Sequence, residues 1–120
     1  MATAKEAAKA NVTAEYVQRG ETLDYRNTTD AAIPCDTVIT VGNRIGVTGG
    51  EIKPGELGAL HMVGVFRIPK SGNDAIQMGA AVSFDGSGIT ATASEGATPA
   101  GYAATPSEAS DKYVLVKLPG

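Results

Sequence analysis

Tryptophan is absent from this sequence, cysteine and histidine occur once each, and phenylalanine twice. A single cysteine, Cys35, excludes an internal disulfide, and with His61 as the only histidine no Cys/His zinc site can be built around it. Phe66, Phe84 and four tyrosines are the whole aromatic complement. A core made largely of small side chains suits short strands and tight turns better than a large enzyme core. Runs of like charge are also missing. The ten Lys and Arg residues are scattered from Lys5 to Lys117, and the formal net charge is −3. Non-specific nucleic-acid binding needs clustered cations, so no nucleic-acid partner is expected. No stretch is long and apolar enough for a signal peptide or a membrane span. Synthesis in a reducing cytoplasm, and no contact with a membrane, are the expectations.

What is present is glycine, threonine and alternation. At 120 residues, one domain is expected. Residues 1–13, "MATAKEAAKANVT", are rich in helix formers but too short to hold a helix alone, and read as a flexible N-terminal arm. Residues 14–120 read as a single β domain. "AEYVQRGETLDYR" gives two short segments about Gly20, and Asn27 to Asp30 is a polar loop. "DTVITV" and "RIGVT" flank Gly42-Asn43, a hairpin signal, because two-residue hairpin turns need positive φ. Pro54-Gly55 matches the central pair of a type II turn. "LGALHMVGVFRIP" is the longest strand candidate. Leu60, Met62, Phe66 and Ile68 share its core face with Gly64, and His61, Val63, Val65 and Arg67 share the other. "KSGNDAIQMG" has room for one helical turn, and "AAVSFDGSGITATA" turns near Gly86 to Gly88. "GATPAG" reads as loop, "GYAAT" as a short strand and "KYVLVKL" as the closing strand. A shift of 44 residues lays Val38, Gly42, Ile45 and Thr48 on Val82, Gly86, Ile89 and Thr92, which points to two similar hairpins. The fold class is mainly β: a small barrel or sandwich-like domain of short strands and hairpins.

Candidate chemistry fails site by site. Gly42 to Thr48 has no lysine after its second glycine, so it is not a Walker A loop. Pro54-Gly55 prevents the helix that a dinucleotide fingerprint must open. His61 lies mid-strand among valines, which favours a surface or interface histidine over a general base. Ser87 sits at a hairpin tip without the G-x-S-x-G context. Glu51 with Glu56, and Glu21 with Asp24, flank turns as solvated charges. Asp85 serves its own turn. Cys35 is expected to be a buried small hydrophobe. No catalytic residue, cofactor or metal is assigned.

The stretch from Ala14 to Lys70, with "YVQRGETLDY", "VGNRIGV", "IKPGELGAL" and "GVFRIPK" in that order, resembles the bacteriophage capsid cement (decoration) proteins. "GAAVSFD", "GYA" and "YVLVKLPG" continue the likeness. The resemblance implies a mostly β, barrel-like fold and a virion protein on the capsid exterior, made in the bacterial host cytoplasm. It implies no catalysis, the major capsid protein as partner, and assembly as a homotrimer. Ala2, Lys5, Lys9, Asn11 and Tyr16 of the arm are the candidate capsid contacts. Two other readings stay open: another phage head or tail protein of barrel fold, and a small ligand-binding or hydrolytic barrel using His61.

Overall fold

A computed structural model describes residues 11–92 and 95–120. The candidate contacts Ala2, Lys5 and Lys9, and most of the arm, lie outside the described residues. Among the described residues, nine strands form two antiparallel sheets: β1 (Thr22–Arg26), β2 (Val38–Val41), β3 (Arg44–Thr48), β4 (Leu57–His61), β5 (Val63–Pro69), β6 (Ala81–Phe84), β7 (Ile89–Thr90), β8 (Thr98–Ala103) and β9 (Tyr113–Pro119). The smaller sheet has the order β1-β4-β3-β2 and the larger β5-β9-β8-β6-β7. The sheets pack as a sandwich, with Ile45 and Val47 of β3 in one core with Ile68, Val82, Val114, Val116 and Leu118 of the larger sheet. Neither sheet closes on itself, so of the two expected architectures the sandwich is the one found.

The expected turns form. Gly42-Asn43 connects β2 to β3 with the Val41–Arg44 pair closing it, and Gly42 carries φ +58°. Glu56 donates its N–H to the Lys53 carbonyl across Pro54-Gly55 at 3.0 Å, with Gly55 at φ +80°. Four expectations are corrected. The long strand is two: β4 ends at His61 and β5 starts at Val63, each in a different sheet, and Met62 turns the chain between them. Burial still alternates, with Leu60, Met62 and Ile68 buried and Val63, Val65 and Arg67 exposed. The break nevertheless splits the expected core face: Ile68 lies in the main core, and Leu60 and Met62 are buried outside it. His61 pairs with the core residue Val47 and lies beside Phe66 instead of sharing a face with the exposed valines. "AEYVQR" forms no strand, and residues 11–19 are exposed throughout. Residues 70–80 hold no helical turn; Ile76 instead bridges Ser107. "GATPAG" is not loop throughout, since β8 already begins at Thr98.

Hydrogen bonds reveal that the two sheets follow one plan. Ile33 and Ile52 exchange both backbone bonds, and so do Ile76 and Ser107. Asp36 N–H donates to the Thr48 carbonyl as Gly79 N–H does to Ala103; Thr48 N–H donates to Thr37 as Ala103 does to Ala80. Lys53 N–H is capped by Glu56 Oε1, and Glu108 N–H by Asp111 Oδ2, both at 2.9 Å. Hence β1, β2, β3 and β4 correspond to β5, β6, β8 and β9, and β7 is an addition to the second half. The shift is 43 residues from Asp36 to Gly79 and 55 from Thr48 to Ala103. The 44-residue shift seen in the sequence superimposes turn on turn: Asp85 N–H donates to the Gly88 carbonyl around Gly86-Ser87, with Gly86 at φ +96°. It does not give the strand equivalence, because β8, not β7, takes the place of β3.

Candidate functional site

Glycine lets side chains lie flat on the smaller sheet. A Cβ on Gly46 would meet Met62 Sδ at 2.7 Å, and one on Gly58 would collide with Ile52 Cγ1. Ile52, Leu60 and Met62 are therefore buried on the face away from the main core. Asn27 holds the adjacent loop. Fully buried, it donates from Nδ2 to the carbonyls of Ala31 (2.8 Å) and Ile52 (2.9 Å), and its Oδ1 accepts from Thr29 N–H and Oγ1. Thr48, equally buried, donates from Oγ1 to the Pro34 carbonyl and accepts the Thr37 N–H, which fixes the turn containing Cys35 and Asp36.

The residues singled out for chemistry do not converge. His61 is half-buried; its Nε2 covers Gly49, and its ring lies 6.2 Å from that of Phe66. Ser87 donates its backbone N–H to Asp85 Oδ1 at 2.9 Å, and Gly88 donates to the same oxygen at 3.0 Å. The Ser71 side chain and these backbone donors hold the Asp85 carboxyl below its ordinary value. Cys35 is exposed, not buried as expected, because its turn stands outside the sandwich. Partial desolvation first, and the Asp36 carboxylate second, push its thiol up from the usual value. A groove of about 340 Å³ opens between the sheets beside Arg44, Met62, Pro99 and Leu118, and no histidine or carboxylate side chain lines it.

Exposed apolar surface is what the fold presents instead. Val63, Val65, Tyr102 and Tyr113 stand on the outer face of the larger sheet, with Leu115 half-buried among them. Strand register sets them side by side: Val65 opposes Lys117, Lys117 opposes Tyr102, and Arg67 opposes Leu115. The Arg67 guanidinium lies 5.4 Å from the centre of the Tyr113 ring, within cation–π range. Ahead of β1, Val12, Tyr16 and Val17 are 97%, 78% and 84% exposed. Asn11 and Tyr16 thus lie on a free segment. The outer-face patch was not anticipated, although the alternation of β5 already placed Val63, Val65 and Arg67 outward together.

An open sandwich with exposed apolar side chains on its outer face and an exposed segment ahead of β1 offers contact surface. The chain belongs to the phage cement protein family, whose model matches residues 17–118. It is a structural protein associated with the phage capsid. No curated protein and no solved structure matches it.

Proposed function

We propose that this protein binds the exterior of the phage capsid, with the major capsid protein as partner, and stabilises the assembled shell without catalysis. It does so as a homotrimer. Its arm contributes contacts through Ala2, Lys5, Lys9, Asn11 and Tyr16, and the outer face of the larger sheet rests on the shell. The observation carrying this reading is the family match over residues 17–118, and the exposed apolar side chains supply the surface. Many copies, each with a modest interface, add their energies across the lattice. A protein that binds only the assembled shell raises the free energy of breaking it by mass action. Heating capsids with and without saturating protein tests stabilisation. DNA release is expected at higher temperature with the protein present; identical release curves would reject it.

A further inference from the structure

The duplicated plan leaves one strand edge unlike its counterpart. In the larger sheet β7 lies along the free edge of β6, pairing Thr90 with Ser83 and Ile89 with Phe84. In the smaller sheet the corresponding edge, β2, has no strand beside it among the described residues. Because Thr48 N–H donates to the Thr37 carbonyl, the antiparallel alternation turns Ile39 and Val41 toward β3. The N–H and C=O groups of Val38 and Thr40 point outward, and Thr40 corresponds to Ser83, which β7 satisfies in the other half. The other edges are guarded. Asp24 and Arg26 are on β1, Arg67 and Pro69 are on β5, and β7 is two residues long. Val38–Val41, "VITV", has no charge, proline or bulge of the kind that blocks strand addition.

We infer that the β2 edge receives an extended strand from a second copy of this chain, namely its segment Asn11–Arg19. That segment is exposed along its whole length and joins the same sheet at β1, the opposite edge from β2. Reaching its own β2 would require it to cross the sheet face, and it lies clear of that face. An arm at one edge and a receiving strand at the other make a head-to-tail contact, which closes into a ring when the rotation allows. Backbone pairing leaves the side chains of the arm on two alternating faces, so Tyr16 stays available to a shell. The inference thus adds a self-contact to the capsid reading and does not compete with it.

The test mixes two full-length proteins, both carrying Cys35→Ser, one with Thr40→Cys and one with a cysteine at Val12, Ala14 or Tyr16. Any disulfide joining them is intermolecular. At least one arm position is expected to cross-link about tenfold faster than a control pair with the arm cysteine replaced by Asp74→Cys, because pairing raises the local concentration. Thr40→Pro, which removes the outward N–H and is tolerated at an edge, is expected to abolish self-association while far-ultraviolet circular dichroism is unchanged. Cross-linking no faster than the control, or a bond formed only within one chain carrying both cysteines, would overturn the inference. Capsids are absent from the assay, so its failure leaves capsid attachment standing, and a failure to bind capsids leaves this contact standing.

Discussion

Asp36 and Gly79 hold the same position in the two halves of the sandwich, and both have left-handed backbone, with φ +65° and +84°. Each donates its N–H to the last residue of the facing strand. Asp36 is the one described non-glycine residue with positive φ. The conformation follows from the shared plan, not from the residue type. Asp36→Ala is expected to cost about 1 kcal/mol: both residues carry the disfavoured Cβ, but only the short polar side chain of aspartate can offset it by local hydrogen bonding. Asp36→Gly should leave stability within about 0.5 kcal/mol of the parent. Urea midpoints check both.

The same aspartate raises the neighbouring thiol, after desolvation. Removing a negative charge beside a thiolate favours the thiolate. Asp36→Asn should therefore speed alkylation of Cys35 near pH 8, although desolvation, the larger cause, remains. An unchanged rate would show that Asp36 does not act on the thiol.

Asn27 was legible only as a polar loop residue, yet it is wholly buried and makes four side-chain hydrogen bonds. Asn27→Leu fits the volume but strands the carbonyls of Ala31 and Ile52 and the donors of Thr29. A loss of about 2–3 kcal/mol is expected by chemical denaturation.

Close approaches separate two glycines. A Cβ on Gly101, at φ +134°, would strike the Lys117 carbonyl of the adjacent strand. Gly101→Ala should cost more than about 3 kcal/mol, because neither backbone can yield without disturbing the β8–β9 ladder. Gly46→Ala comes closest to the movable end of Met62, with the His61 carbonyl and Leu60 Cβ both at 3.3 Å, and should cost less, about 1.5 kcal/mol.

Asp85 supplies the pH dependence. Its folded carboxyl lies below the ordinary 3.8 through the Ser71 side chain and the backbone N–H groups of Ser87 and Gly88. The ionised form is thus favoured in the folded state. Its contribution is present above the unfolded carboxyl value and is lost as pH falls through the folded one. The stability difference between the parent and Asp85→Asn should be constant near neutrality and close below about pH 4.

Much of the fold was readable because its signals are local. Gly42-Asn43, Pro54-Gly55 and Gly86 sit where turn stereochemistry requires them. That Leu60, Met62 and Ile68 are buried follows from a period of two, although only Ile68 of the three lies in the main core. That same period hides the passage from one sheet to the other at Met62, since it leaves the alternation intact. The duplication was masked because Ile76 pairs with Ser107 where Ile33 pairs with Ile52: the backbone bonds are kept and the side chains are not. Cys35 misled because its small apolar side chain carries no sign that its turn stands proud of the sandwich.

Surface substitutions bear on attachment. Val65 and Tyr102 are 53% and 44% exposed, so Val65→Asp and Tyr102→Asp should fold normally. If the outer face rests on the shell, each should weaken capsid binding at least about tenfold, because a carboxylate would be buried in an apolar contact. Deleting residues 1–13 should weaken attachment and leave the melting temperature unchanged.

Co-sedimentation of the purified protein with undecorated capsids tests the central claim most directly. The account predicts that the protein enters the pellet and saturates at a fixed number of copies per shell. Protein left entirely in the supernatant at concentrations that saturate a known decoration protein would contradict it.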